Sequence, residues 1–331
     1  MRLNLLHRRF RLGPGMVVLF TTLVLPFLAI IVAIDYWTNS LAVKTTSKEM
    51  VHRFNNQIVR EVEQTINPVI SLTQSTAKLA AIDPEFFKKD ASWDLLRTHI
   101  EHSKVITSAY LGFADGSLII VYRASEKSLF LGKPSPPQTE YVFRRLNRKD
   151  DQIVDDQMFF MGANDKIIEI RQVNSTFDPR IRPWYQAAVQ EKKSIFYGPL
   201  RSASTGQTEL TFATPVLVND QVVAVAAIDI SLASTEAFLN DQRISSNAIS
   251  VVLDSQMRVI VSSETKSNGT ESLGKVSQVS ELTNDLPRRA LLSLPASQFL
   301  GAFRFDGVDG QTHYMASLNK ADLKVSANWR I

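Results

Sequence analysis

The chain has 331 residues, 44% of them hydrophobic, no cysteine and a formal net charge of +4 at neutral pH. Without thiols it has no disulfide staples, and thiolate metal sites and thiol catalysis are excluded. Much of the positive charge comes from Arg2, Arg8, Arg9 and Arg11; the remainder is close to neutral, which argues against nucleic acid as a partner.

From Met16 to Ile34 no residue is charged. About 20 apolar residues at ~1.5 Å rise cross a ~30 Å hydrocarbon core, so this segment is predicted to span a membrane. A spanning helix tolerates Pro26 at the expense of a kink. The arginines before it place the N-terminus in the cytoplasm and everything after Asp35 on the far side, with Tyr36 and Trp37 at the interface. The apolar run is longer than that of a signal peptide, and Ile31-Val32-Ala33 is a poor cleavage site, so an uncleaved anchor is expected. The lipid bilayer is thus the first expected partner.

Behind the anchor, Val51, Phe54, Ile58, Val62, Ile66 and Val69 or Ile70 recur every three or four residues, the spacing of an amphipathic helix. Residues 36–89 are expected to hold a long stalk helix, with a kink at Pro68 because Asn67 precedes a proline. Its stripe covers a sheet, a dimer seam, or both. A short helix follows over Trp93 to His102, with Asp90 and Ser92 as capping candidates.

The pattern then turns to strands. Ala109–Phe113 and Leu118–Tyr122 read as a hairpin closed by Ala114-Asp115-Gly116. Residues 124–152 are polar and basic and read as a surface excursion or peripheral helix. Thr208–Val218 and Val222–Ile230, joined through Asn219-Asp220-Gln221, are expected at the centre of the first sheet, with Ser231–Leu239 a helix leading out. The scheme repeats in shorter form: Ser250–Leu253, a turn through Asp254-Ser255-Gln256, Val259–Val261, a helical patch over 282–294 and a hairpin around 306–310. The expected class is α+β, with a tail (1–15), a transmembrane helix (16–35), the stalk (36–89), a membrane-distal lobe (90–240) and a membrane-proximal lobe (241–331), each lobe an antiparallel sheet with helices on one face. Leu323–Ile331 alternates like a strand, with Trp329 and Ile331 in the second core. A strand end is an odd terminus, so the protein is expected to continue past Ile331 to a second membrane helix.

No catalytic constellation is visible. The five histidines are scattered, and His99 and His102 share a helix face without a third ligand; neither a metal nor a cofactor is expected. G-x-S-x-G, H-E-x-x-H and phosphate-binding glycine loops are missing from the sequence. The distinctive segment is Phe177-Asp178-Pro179-Arg180-Ile181-Arg182-Pro183-Trp184-Tyr185, a loop entering a helix at Trp184. A guanidinium anchors carboxylates, and Trp and Tyr exclude water while donating hydrogen bonds, the makeup of a small-anion pocket. The same chemistry also suits a loop that Arg182 and Trp184 merely pin to the sheet.

This segment, with Tyr197-Gly198-Pro199, Thr205-Gly206-Gln207-Thr208-Glu209-Leu210-Thr211, Ala213-Thr214-Pro215-Val216 and Ala226–Leu232, resembles the double Cache sensors. These are tandem PAS-like modules outside the membrane in bacterial receptors, and the likeness covers about residues 36–331. Within them the chain is most similar to the sensor part of membrane-bound nucleotide cyclases. The resemblance implies a ligand pocket in the distal lobe, where Arg182, Trp184 and Tyr185 hold a carboxylate and Asp229 takes an amine. Phe177 stands where a Tyr is usual, and Ser202 where a second Asp is usual. Tyr197 and Thr211 complete the implied ligand set. One carboxylate in place of two holds a cation less well, so a carboxylate lacking an amine, or a different amine, is as well accommodated as an ordinary α-amino acid.

The resemblance further implies a non-catalytic sensing region in a bacterial inner membrane, its bulk periplasmic or extracellular, working as a homodimer. Its output would be cytoplasmic: a cyclase first, with a diguanylate cyclase, histidine kinase or chemoreceptor as other possibilities. The competing expectation is an extracytoplasmic dimerisation or docking scaffold that binds no small ligand.

Overall fold

The computed structural model describes residues 12–124, 128–243, 245, 247–254, 257–263, 277–278, 285–294, 301–306, 312–323 and 329–330. Helix α1 (Leu12–Ile82) contains 71 residues, so the expected anchor and stalk are one element, roughly 107 Å long at 1.5 Å per residue. Its first third exposes apolar side chains on all sides, from Met16 through Trp37, and an 18-residue window with mean hydropathy 2.9 has no buried residue. This helix is long and apolar enough to cross a membrane.

Further along, the predicted stripe turns inward: Ile58, Val62, Ile66, Val69 and Ile70 are buried. The helix continues through Pro68. Burial of Ile66, Val69 and Ile70 on either side of the proline supplies tertiary packing that outweighs the local preference against helix at Asn67.

The distal lobe follows α2 (Trp93–His102). Ser92 occupies the N-cap but makes no capping bond; its hydroxyl donates backward to the carbonyls of Phe87 and Lys89, and Asp90 pairs with Arg145. The strands are β1 (Ile106–Phe113), β2 (Leu118–Arg123), the two-residue β3 (Leu129–Phe130) and β4 (Lys133–Pro134), β5 (Tyr141–Lys149), β6 (Gln152–Met161) and β7 (Ile167–Gln172). After α3 (Pro183–Glu191) come β8 (Ile195–Arg201), β9 (Thr208–Val218), β10 (Gln221–Ser231) and α4 (Leu232–Asp241). Eight of these strands form one sheet, in the order β7-β6-β5-β2-β1-β10-β9-β8, and every pairing is antiparallel.

The stretch read as a surface excursion therefore ends in a sheet strand, β5, hydrogen-bonded to β2 and β6. Its arginines disguise the alternation. Val142, Arg144 and Leu146 share one face with burial throughout, and Arg144 is tolerated there because Asp156 of β6 neutralises it. The extra strands also shift the middle of the sheet from β9 and β10 to β2 and β1.

Both faces of this sheet are covered. On one, Leu111, Val121, Phe143, Phe212 and Ile228 pack against Val62, Ile66, Val69 and Ile70 of α1 and Leu96 and Ile100 of α2. His99 also turns inward here, its Nε2 2.6 Å from Thr76 Oγ1 of α1. On the other, Ile120, Tyr122, Met158, Phe160 and Ala227 pack with Trp184, Tyr185 and Ala188 of α3. Helices thus lie on both faces of the distal sheet, not on one. Strand alternation, with period two, produces this partition.

The described part of the proximal lobe has β11 (Val251–Leu253), β12 (Arg258–Ser262), β13 (Ser277–Gln278), α5 (Leu286–Leu292), β14 (Gly301–Asp306), β15 (His313–Leu318), β16 (Lys320–Ala321) and β17 (Trp329–Arg330). Five strands pair in the order β13-β12-β11-β17-β16, and β14 and β15 pair separately. The expected turn at Ser255-Gln256, the tip 307–310 and the packing of Trp329 and Ile331 lie outside the described residues. This lobe is fastened to α1 by polar contacts: Asn67 Nδ2 donates to the Asp322 carbonyl (3.2 Å), Asn319 Nδ2 to Asn56 Oδ1 (2.6 Å), and the Asp322 amide to Glu63 Oε1 (2.6 Å).

Candidate functional site

The distinctive loop is built locally. Asp178 caps a 3₁₀ turn at Pro179–Ile181 by accepting from the Arg180 amide, and Pro183 opens α3 at its first turn with Arg182 as N-cap. The loop settles on the sheet because β1 carries Gly112 opposite it. A Cβ there would stand 2.8 Å from Pro179 Cβ and 3.1 Å from the Trp184 ring, so glycine permits the close approach.

The two arginines of the loop have different fates. Arg180 is committed, binding Asp178 at 2.7 Å and Asp151 at 2.8 Å. Arg182 has no carboxylate partner among the described residues; its guanidinium stands 5.9 Å from the Phe177 ring and lines a cavity on the α3 side of the sheet. That cavity encloses about 50 Å³, room for roughly three to five water-sized groups at ~10–15 Å³ each.

Sheet register aligns the polar floor. Tyr122 of β2 lies opposite Ser108 of β1, Ser108 opposite Asp229 of β10, Asp229 opposite Thr211 of β9, and Thr211 opposite Tyr197 of β8. Asp229 is 6% exposed. Its Oδ1 accepts from Tyr110 (2.9 Å) and Thr211 (2.7 Å), and its Oδ2 from Ser108 (2.7 Å). Two residues along β9 from Thr211, Glu209 reaches the same cavity at 3% exposure, its Oε1 accepting from Thr107 at 3.1 Å. Burial, with the Asp229 charge next, pushes the Glu209 carboxyl well above the usual range. Asp229 is raised by burial too, but the Thr211, Ser108 and Tyr110 hydroxyls oppose the shift.

Of the eight residues expected in the ligand set, Phe177, Arg182, Trp184, Ser202, Thr211 and Asp229 line this cavity. Tyr185 stands behind the wall, its ring 5.6 Å from that of Trp184, and burial pushes its phenol up to about 12. Tyr197 packs against the same core without lining the cavity. Sequence reasoning missed Tyr110, Tyr122 and Glu209. It also missed Arg144, whose Nε and Nη2 grip Asp156 at 2.8 and 2.7 Å. Arg144 Nη1 bonds Ser204, which accepts from Tyr122 at 2.6 Å, so the ion pair braces one wall. Alternation was the available signal: Glu209 shares its strand face with Thr211.

A larger cavity, about 220 Å³, lies between α1 and the proximal lobe, walled by Phe54, Ile58, Phe303, Phe305 and Leu318 among others. It has no charged side chain among the described residues and holds none of the expected ligand set.

No family model matches the chain. Over 240 residues it is 27% identical to adenylate cyclase 1 of Rhizobium meliloti (strain 1021), covering 71% of this chain and 36% of that protein. Over 90 residues it is 32% identical to the methyl-accepting chemotaxis protein PscA of Pseudomonas syringae pv. tomato, covering 27% of this chain and 14% of that protein. The chain thus spans about a third or less of the curated relatives it matches. Among solved structures, the ligand-binding domain of the Pseudomonas fluorescens chemoreceptor CtaA, in complex with L-isoleucine, aligns with a TM-score of 0.52. That alignment has 17% identity and covers 89% of this chain and 94% of that domain. The described lobes therefore have the Cache-type fold of bacterial chemoreceptor ligand-binding domains.

Proposed function

We propose that this chain is the sensing region of a transmembrane receptor, and that a small carboxylate-bearing molecule binds the distal cavity. The observation that carries this reading is Arg182: a guanidinium without a carboxylate partner among the described residues, lining a small cavity beside Trp184. Guanidinium donors suit a carboxylate, and the indole excludes competing water. Asp229, Thr211 and Ser202 form the polar remainder, with Tyr185 and Tyr197 positioning the walls. A ligand shifts a conformational equilibrium only by its differential affinity for the two states, and ~1–3 kcal/mol of coupling is typical.

The signal runs along α1 into the bilayer, with the N-terminus cytoplasmic, the lobes periplasmic or extracellular, and the receptor a homodimer. Similarity to a cyclase favours a nucleotide-cyclase output, and similarity to a chemotaxis protein supports a chemoreceptor output as the second choice. The catalytic or signalling output lies outside this chain. Thermal melting of the full chain in lipid nanodiscs against a metabolite library tests the site: at least one carboxylate should raise the melting temperature, and Arg182→Ala should erase that gain. A library without a single stabilising carboxylate would sink the reading.

A further inference from the structure

The cavity between α1 and the proximal lobe encloses about 220 Å³, against about 50 Å³ for the distal one. Its α1 wall is the first part of the amphipathic stripe, Val51, Phe54 and Ile58. Another wall comes from the paired strands β14 and β15. Register sets Phe303 opposite Ala316 and Phe305 opposite Tyr314, so these residues share one face. The rings of Phe305 and Tyr314 stack at 5.3 Å and 22°, and the Phe303 ring stands 6.5 Å from that of Phe305. Ala316 and, on α5, Ala290 are too short to fill the space among them.

An apolar void destabilises a fold in proportion to its volume, because the atoms around it lose packing partners. This one is held open at its edge: Asn56, between Phe54 and Ile58, accepts from Asn319, and Glu63 accepts from the Asp322 amide. The lobe is thus pinned to the helix without collapsing onto it. Ile58, Phe305 and Leu318 are 3, 6 and 6% exposed, so the space is sunk between two parts of one chain and is not an open face for a second protein to cover.

The lining sets the chemistry of an occupant. With no charged side chain among the described residues, a charged guest would lose its hydration without compensation. The aromatic walls, Phe54, Phe303, Phe305 and Tyr314, favour a flat aromatic body. Ser317 also lines the space, and its hydroxyl is buried without a hydrogen-bond partner among the described residues, a deficit that one polar atom on the guest would remove. A cavity of ~150 Å³ takes up benzene, so about 220 Å³ has room in proportion for about nine non-hydrogen atoms.

We propose that this cavity is a second ligand site, for a small neutral aromatic molecule carrying one hydrogen-bonding atom. The inference does not depend on the distal cavity being a ligand site. A guest here touches α1 directly, on the same continuous helix that carries the apolar segment.

Indole matches the required size and chemistry and serves as the probe. It is titrated into the full chain in lipid nanodiscs, with empty nanodiscs to subtract partition into lipid. Indole should bind saturably and slow amide hydrogen exchange over residues 51–58, whereas the charged analogue indole-3-acetate should bind at least about tenfold more weakly. Ala316→Leu and Ala290→Leu fill the space from different walls; a filled variant that keeps a cooperative melting transition should melt higher without ligand and bind indole at least about tenfold more weakly. If both variants unfold, the exchange footprint and the charge preference of the natural chain decide the matter. Absence of binding, equal binding of the charged analogue, protection that spares residues 51–58, or undiminished binding to a folded variant overturns the inference. Dissociation of a dimer by the filling substitutions, with indole unbound, overturns it in favour of a seam between copies.

Discussion

Two buried ionic clusters occupy the same face of the distal sheet, and they are built on opposite terms. At Arg144–Asp156 the fork of a guanidinium meets both oxygens of a carboxylate, and Ser175 and Ser204 take up remaining bonds. At Glu209–Asp229, two like-signed groups share a pocket with hydroxyls, and among the described residues no cation pairs with either of them. The first is finished within the fold. The second has no ion-pair partner of its own among the described residues.

The largest expected effect breaks the finished cluster. Arg144→Ala leaves Asp156 charged and buried and should cost about 3–5 kcal/mol in denaturant unfolding. The paired change Arg144→Met with Asp156→Leu should recover most of that loss, because it is the unpaired charge that destabilises. Recovery of nothing would mean that the hydrogen bonds to Ser204 and Ser175, not the charge, hold the wall.

On the α1 side of the sheet, His99 is a further buried ionisable group, and burial followed by the nearby His102 pushes it down to about 4. An unfolded histidine titrates near ~6.5, so the native state binds fewer protons than the unfolded one between these values. Stability is therefore full above pH ~6.5 and lost as pH falls toward 4, by on the order of 3 kcal/mol. Unfolding curves at the two ends of this window should differ for the natural chain and converge for His99→Gln.

Gly112→Ala tests the seating of the loop. Its Cβ collides with Pro179, and overpacking of this kind costs ~1–3 kcal/mol. Ligand-induced stabilisation should weaken as well, since Trp184 is displaced with the loop; an unchanged ligand response would separate the loop from the site.

The smallest effect has the opposite sign and sharpens the contrast. Because the Glu209 carboxyl is raised in the folded state, it opposes folding as pH climbs above its unfolded value. Glu209→Gln should therefore stabilise the ligand-free protein at neutral pH by about 0.5–2 kcal/mol, as relief of a functional site commonly does. A loss of stability in this variant would make Glu209 a structural residue like Arg144.

Much of this was legible beforehand. The apolar run and the i, i+3, i+4 stripe define α1, Asp115-Gly116 defines the first hairpin, and β9 and β10 read as alternating runs around a short turn. Arg182 and Trp184, singled out in the loop motif, and Asp229, implied by the resemblance, all line the distal cavity. What escaped was charge inside the sheet. Arg144, Arg145 and Arg148 make β5 look solvated, because single-sequence patterning cannot see that Asp156 sits across the ladder. Glu209 hid for a similar reason, an acid amid Thr208, Leu210 and Thr211 whose burial is decided by α3 and the loop closing over it.

Strand β9 has one further consequence. Glu209 and Thr211 point into the cavity, whereas Leu210 and Phe212 between and beside them are buried in the core that α1 shares. Farther along, Thr214 hydrogen-bonds Ser194, which accepts from Gln74 of α1 at 3.1 Å. Cavity and helix are therefore opposite sides of a single backbone ribbon, and no intermediate layer insulates one from the other.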